Sequence, residues 1–131
     1  MIVVDSAALV DLLIDTGPRG AQVRKRVAGT ELAAPDFIKV EAMSALRGLA
    51  LGGVLNAAAA EAAFEALCTL PVELHPASEL LRPAWKLRFN VSSYDACYVA
   101  LAAALNTPLI TNDAKLSRVK NLPCEIETFV S

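Results

Sequence analysis

The chain has 131 residues, 55% of them hydrophobic and 20% charged, which is typical of one compact globular domain. Its net charge of −2 at pH 7 argues against nucleic-acid binding through a broad basic surface, but it leaves binding through metal ions open. Mean hydropathy is +0.46, yet every apolar run is too short to span a bilayer and no basic segment precedes the first one, so we expect a cytoplasmic protein without membrane segments.

The first apolar run, residues 2–4, ends abruptly at a carboxylate. This pattern predicts a buried parallel strand that delivers Asp5 to the carboxyl edge of a sheet, where ligands bind in open α/β folds. A purely structural role is also open, since Asp5 or Ser6 can cap the helix predicted over residues 7–14. Asp11 and Asp15 are expected on the exposed face of that helix. A basic helix is predicted from about residue 19 to residue 28.

A second strand is predicted over residues 31–34, followed by a helix over residues 37–51 with Asp36 as its cap. Glu41 lies in this helix among small and apolar neighbours, an awkward position for an ionised carboxylate without a partner. A solvent-facing position is equally consistent with the pattern. Gly52 and Gly53 end the helix, and Asn56 is suited to cap another over residues 57–70, which predicts an αα-hairpin.

The tip of this hairpin is rich in apolar side chains. Such a tip indicates either a surface for a partner or ordinary core packing. The residues concerned are Leu46, Leu49, Leu51, Val54 and Leu55. This apolar tip also leads us to expect a homodimer.

The second half begins with a predicted strand over residues 72–74 and a helix over residues 77–89, in which Trp85 is expected to pack into the core. Ser92 or Ser93 can cap the next helix, whose first turn contains Asp95. This helix is apolar on nearly every face, so its start should lie inside the domain. A strand over residues 109–111 is followed by Asp113, which repeats the arrangement of Asp5. A last strand is predicted at about residues 125–128.

Strands and helices alternate along most of the chain, which predicts an α/β protein: a three-layer α/β/α sandwich with a central, mostly parallel sheet and an added αα-hairpin. Four acids then come from two strand ends and two helices: Asp5, Glu41, Asp95 and Asp113. Gathering them is costly unless cations neutralise the carboxylates. Oxygen ligands suit Mg²⁺ or Mn²⁺, which can activate water against a phosphodiester.

Four segments of the sequence resemble the PIN domain and, within it, the VapC-type toxins of bacterial toxin–antitoxin pairs. Each motif is weak alone, but all four occur in the expected order between residues 2 and 113. They are Ile2-Val3-Val4-Asp5-Ser6, Glu41-Ala42-Met43-Ser44-Ala45-Leu46-Arg47, Tyr94-Asp95-Ala96-Cys97-Tyr98-Val99-Ala100-Leu101-Ala102 and Leu109-Ile110-Thr111-Asn112-Asp113.

The resemblance implies a single PIN-like domain over residues 1–131 that acts as a Mg²⁺- or Mn²⁺-dependent endoribonuclease toxin. It also implies inhibition by a cognate VapB-like antitoxin. The implied catalytic and metal-binding residues are Asp5, Glu41, Asp95 and Asp113. Ser6 and Thr111 are implied as neighbouring polar groups that orient an acid or a water.

Two other functions remain open from sequence. A catalytically inert PIN-like domain could serve only to bind a protein partner. A phosphoacceptor receiver-like domain also uses a parallel sheet and an acidic Mg²⁺ pocket. Domains of that kind, however, carry adjacent acids after the first strand and a lysine after a late strand. Here Ser6 follows Asp5, and Asp113 occupies the late position.

Overall fold

The computed structural model describes residues 1–129, in which helices and strands alternate around one sheet. A short 3₁₀ turn, Ala77–Leu80, precedes the helix Leu81–Trp85. In chain order the elements are β1 (Ile2–Val4), α1 (Ser6–Ile14), α2 (Pro18–Val27), β2 (Leu32–Pro35), α3 (Ile38–Leu51), α4 (Ala57–Thr69), β3 (Glu73–His75), α5 (Leu81–Trp85), α6 (Ser93–Leu105), β4 (Leu109–Thr111), α7 (Ala114–Ser117) and β5 (Ile126–Thr128).

The sheet has the strand order β3-β2-β1-β4-β5, and every neighbouring pair is parallel. Val3 in the central strand is paired with Ala33 on one side and with Leu109 on the other. Helix α1 packs against α2, α3 and α4, and α3 packs against α4. Helix α6 packs on β1, β2 and β4, and α5 packs on α6. The predicted α/β sandwich is therefore confirmed, and the sheet is wholly parallel within the described residues.

The central strands are apolar because both of their faces are covered. Residues Ile2–Val4 and Leu109–Thr111 are all buried, and the run of residues 96–102 in α6 is buried without a break. A helix that is apolar all round belongs in an interior rather than on a surface. The predicted burial of this helix is thus confirmed. Its first turn is carried to the carboxyl ends of the strands.

Two carboxylates differ from the sequence prediction. Asp11 is only 6% exposed instead of lying on the outer face of α1, because it forms an ion pair with Arg19 at 2.9 Å and faces the turn after β4. Asp36 does not cap α3: no side chain caps that helix, and the Asp36 carboxylate accepts a hydrogen bond from the Ala77 backbone at 3.2 Å. Asp11 thus bonds to Arg19 of α2 and to Asn112, and Asp36 bonds to the backbone of Ala77, 41 residues away.

The segment predicted as one helix over residues 77–89 is divided. After α5 the backbone continues in turns, with Leu87 N–H bonded to Ala84 and Arg88 N–H bonded to Trp85. The expectation that Trp85 packs into the core is wrong, since 67% of its surface is exposed. Only one side of this short segment faces the core. Leu80 and Ala84 lie on that side and are buried, whereas Trp85 lies on the other side.

The αα-hairpin formed by α3 and α4 is present, and Asn56 caps α4 through a 2.8 Å bond from the Ala59 N–H. Its apolar tip divides into two groups. Leu46 is buried and Leu49 and Leu55 pack against the core, whereas Leu51 and Val54 are more than 70% exposed.

Within residues 1–129, none of the helices combines the length and apolar character required to cross a bilayer.

Candidate active site

The order in which the chain adds strands to the sheet reverses between β1 and β4. From β1 the chain moves outward through β2 to β3, and then returns to place β4 on the other side of β1. In open α/β sheets the crevice at such a switch point, outside the carboxyl ends of the strands, is where ligands bind. Asp5 directly follows β1, and Asp113 lies two residues beyond β4. The topology therefore brings the two strand-end acids to one crevice.

Asp5 is the most buried acid of this crevice. Its Oδ1 accepts a hydrogen bond from the Ala8 N–H at 2.8 Å, which caps α1, and its Oδ2 accepts one from the Thr111 hydroxyl. Burial raises the pKa of Asp5 from 3.8 to about 6, because desolvation outweighs these two bonds, and the charges of Asp95 and Asp113 raise it further. The protein thus holds a carboxyl group that binds a proton more readily than a solvated one.

Asp95 reaches the same crevice from the first turn of α6. Ser92 caps this helix by accepting a hydrogen bond from the Asp95 N–H at 3.3 Å. Burial raises the pKa of the Asp95 carboxyl, and the charge of Asp113 raises it further. Because each of these effects requires proximity, the three aspartates form one electrostatically coupled group.

Asp113 is fixed by hydrogen bonds on both sides. Its N–H donates to the Thr111 hydroxyl oxygen at 3.0 Å, and its own carboxylate accepts from the Lys115 N–H at 2.9 Å, which caps α7. Thr111 is fully buried and bonds to Asp5 and to the Asp113 backbone at once. One hydroxyl therefore links the ends of β1 and β4.

The turn that carries Asp113 is also tied to α1. The Asn112 side-chain amide donates to Asp11 Oδ2 at 3.0 Å, and Arg19 donates to Asp11 Oδ1 at 3.2 Å. Sequence reasoning missed this contact because Asn112 and Asp11 are 101 residues apart. The pairing with Arg19 explains how a carboxylate outside the crevice is tolerated in the interior.

Glu41 joins the group indirectly. Its Oε1 accepts a hydrogen bond from the Tyr98 hydroxyl at 2.5 Å. Burial raises the pKa of Tyr98, and the hydrogen bond to Glu41 and the charge of Asp5 raise it further. The three aspartates thus lie near enough for their charges to interact, and Glu41 is bonded to Tyr98, a phenol that the charge of Asp5 also reaches. Ser6 directly follows Asp5 as the first residue of α1.

Tyr98 is a residue of this site that sequence reasoning missed. It is buried, and its ring packs edge-on against Phe37 with the centroids 5.5 Å apart. A signal was present in the sequence, since its hydroxyl is a polar group in an otherwise apolar helix and lies three residues after Asp95. Such a hydroxyl needs a partner when it is buried.

The donor set suits a hard divalent cation, but the ligands are not gathered in advance. Among residues 1–129, no three His, Cys, Asp or Glu side chains stand as a group that could hold a metal ion. Mg²⁺ is usually held by one or two carboxylates, with waters and substrate phosphates completing its shell. Mutual repulsion also keeps carboxylates apart until a cation neutralises them. The crevice is therefore compatible with an ion that retains several waters.

A wholly parallel sheet with three aspartates near its switch point is the architecture of an α/β protein that binds its ligand in an acidic crevice at the sheet edge. Residues 2–122 match the family model of the PIN domain. The chain belongs to the PIN-domain family. The receiver-like alternative is wrong, because the strand order 3-2-1-4-5 differs from the order 2-1-3-4-5 of receiver-type folds.

Relatives within this family are similar over almost their whole length. The chain is 40% identical to ribonuclease VapC1 of Mycobacterium tuberculosis over 126 residues, 95% of each protein. It is 41% identical to ribonuclease VapC3 of the same species over 117 residues, 89% of this chain and 85% of that protein. Its fold matches a chain in the crystal structure of VapBC2 from Rickettsia felis, which is bound to a DNA fragment from the promoter of VapBC2. The TM-score is 0.69 and the identity is 14%, and the match covers 99% of this chain and 100% of the other.

Proposed function

We propose that this chain is a VapC-like toxin, a metal-dependent endoribonuclease that hydrolyses RNA phosphodiester bonds. The observation that carries the proposal is that the Thr111 hydroxyl joins the Asp5 carboxylate to the Asp113 backbone at the switch point of the sheet, with Asp95 near enough for its charge to raise the pKa of Asp5. Burial raises the pKa of Asp5 and of Asp95, so the ionisation of these two carboxylates opposes folding, and acids of this kind in a crevice are candidates for a functional site. Similarity to ribonucleases at about 40% identity supports the same function.

Asp5, Glu41, Asp95 and Asp113 are the proposed catalytic and metal-binding residues, with Mg²⁺ or Mn²⁺ as the ion. A bound divalent ion lowers the pKa of water and neutralises charge on the leaving oxygen. Thr111 holds Asp5 in one rotamer by donating to its Oδ2, and Tyr98 holds Glu41 by donating to its Oε1. Ser6, the residue after Asp5, is proposed as a further polar group that orients an acid or a water. The residues of the chain thus orient the carboxylates, and a water molecule is the nucleophile.

The function is tested by incubating the purified protein with total cellular RNA. We expect cleavage with Mg²⁺ or Mn²⁺ and none with EDTA, and sequencing of the new 5′ ends should identify discrete sites. A cognate VapB-like antitoxin, the proposed partner, should suppress that cleavage when it is added first. If no RNA is cut with either ion, the inert protein-binding alternative is favoured and the nuclease proposal fails.

The protein is proposed to act as a homodimer through the outer face of α3. Val40, Met43 and Leu51 lie on this helix and are 62%, 45% and 71% exposed. Val54 follows at the hairpin tip and is 72% exposed. Apolar side chains gathered in this way mark an association surface more often than isolated ones do. A two-fold arrangement would bury the same row on both copies.

Light scattering across a wide concentration range tests the dimer. We expect a species of twice the chain mass, and we expect Leu51→Glu to yield monomers because it places a charge in an apolar interface. Lys120→Glu, a charge change at an exposed position after α7, should leave the dimer intact. A wild type that remains at the mass of one chain at every concentration would rule the dimer out.

Two further parts of the proposal concern organisation and location. Residues 1–131 are proposed to form a single PIN-like domain, which is supported by one sheet and one continuous core within the described residues. A cytoplasmic location follows from the proposed activity, since an RNA-cleaving toxin acts where translation-related RNA is found.

A further inference from the structure

The exposed aromatic side chains of this protein are concentrated in one short segment. The chain has seven aromatic residues, all within residues 1–129, and four of them are buried or half-buried. The other three, Trp85, Phe89 and Tyr94, are 67%, 85% and 58% exposed and fall within ten consecutive residues. Large rings are normally buried because they contribute much of the energy of a core. Because all three are exposed, this segment is a candidate surface for binding a ligand or another macromolecule.

Two of these rings enclose a cation. The Arg88 guanidinium lies 4.7 Å from the centroid of Trp85 and 4.5 Å from that of Phe89, and it donates to the Trp85 carbonyl at 2.9 Å. Such contacts hold the rings and the charge in a fixed relation. Both rings are more than two-thirds exposed, so each keeps a surface open to solvent.

The charge around these rings is positive in an otherwise acidic protein. Residues 80–94 contain Arg82, Lys86 and Arg88 and no acid, although the whole chain has a net charge of −2. None of the three cations forms an ion pair with another residue of the described chain, 1–129. They are therefore available to a polyanion.

This surface adjoins the acidic crevice. Helix α5 packs against α6, and Trp85, Arg88 and Ser93 line one hollow together with Ala96 and Cys97. Ser93 opens the helix whose first turn carries Asp95. A chain bound across Asp95 would therefore reach the rings with only a short continuation.

We propose that Trp85, Arg88 and Phe89 form a stacking platform for an unpaired base of the RNA substrate, next to the phosphate that is cleaved. The inference rests on the proposed ribonuclease function. Single-stranded nucleic acids are bound where aromatic faces stack with bases and cations follow the phosphates. Arg82 and Lys86 line a hollow with Trp85 and the exposed Leu81, and Arg88 lies over both rings, so this surface suits a polyanion with flat bases better than a purely apolar protein surface. The platform selects an unpaired segment, since bases in a duplex have no free face.

Binding is measured in EDTA, so that no cleavage occurs, with a labelled eight-nucleotide unpaired RNA of mixed sequence. An oligomer of the same length made of abasic ribose phosphates carries the same charge but cannot stack. Trp85 is the only tryptophan of the chain, so its fluorescence reports stacking directly. We expect the RNA to bind about tenfold more tightly than the abasic oligomer and to quench Trp85.

Phe89→Leu keeps an apolar side chain but removes the aromatic face, and Trp85→Leu does the same for the other ring. Each should weaken RNA binding about tenfold, measured by anisotropy, and leave abasic binding unchanged. Leu74→Ala, at an exposed apolar position of β3, is the matched control and should bind as the wild type does. Thermal melting establishes that each variant is folded.

Equal affinity of the wild type for the two oligomers overturns the platform, as does a folded Phe89→Leu variant with unchanged RNA affinity. If Phe89→Leu converts a dimer to monomers without weakening RNA binding, the rings belong to a contact between two copies, and the platform is again wrong. A wild type that binds and quenches as expected but cleaves no RNA with Mg²⁺ or Mn²⁺ refutes the nuclease function alone.

Discussion

Asp5→Asn is expected to lower metal-dependent RNA cleavage by about 100-fold or more while the protein stays folded. Replacing groups that merely support a metal ligand costs about 10- to 100-fold, so loss of a ligand should cost at least as much. The amide has nearly the same volume as the carboxylate, and its oxygen can still accept the hydrogen bond from the Ala8 N–H. The loss should therefore report the missing charge rather than a changed fold.

The matched control is Glu61→Gln, the same neutralisation at an exposed position of α4. It should cleave RNA at the wild-type rate. Asp95→Asn should lose activity as Asp5→Asn does, because both carboxylates belong to one coupled group. Full activity in a folded Asp95→Asn variant would remove that residue from the site.

The second large effect is expected in the stability of the metal-free protein. The pKa of Asp5 is 3.8 when solvated and about 6 in the folded state. A raised pKa means that folding favours the protonated acid, so its contribution is complete below about pH 4 and is lost as pH rises through about 6. The difference amounts to about 3 kcal/mol at neutral pH. Asp5→Asn, which carries no charge at any pH, escapes this loss.

Denaturant unfolding in EDTA at about pH 4 and about pH 7.5 measures the effect. The free energy of unfolding of Asp5→Asn relative to the wild type should rise by about 2.4 kcal/mol between the two conditions, because a small part of the effect is already present at about pH 4, just above the solvated pKa of 3.8. Acids outside the crevice titrate alike in both proteins, so the comparison reports Asp5 together with its effect on Asp95 and Asp113. A constant difference would mean that Asp5 ionises in the folded protein as a solvated acid does.

The sequence predicted those parts of the site that follow from local pattern. An apolar β run followed by a carboxylate located Asp5 and Asp113 at strand ends, and a Ser cap before an apolar helix located Asp95 at a buried helix start. Alternation of strands and helices predicted the parallel sheet. These features depend on neighbours in the chain, which a sequence displays directly.

The features that were missed depend on partners distant in sequence. Asp11 was expected in solvent because nothing near it in the chain shows that Asn112 comes to meet it. Tyr98 meets Glu41 across 57 residues. Trp85 was placed in the core because large rings usually are buried, whereas α5 is too short to cover it. Burial is a property of the assembled fold, and hydrophobicity alone does not determine it.

The most direct test of the account is a Mn²⁺ titration at neutral pH, followed by the paramagnetic resonance signal of the free ion. The wild type should bind one or two ions, and Asp5→Asn, Asp95→Asn and Asp113→Asn should each bind at least about tenfold more weakly, whereas Glu61→Gln should match the wild type. Binding should also stabilise the wild type by about 1.4 kcal/mol at ten times the dissociation constant. If Asp113→Asn binds Mn²⁺ as the wild type does, the acids do not form one site and the account is contradicted.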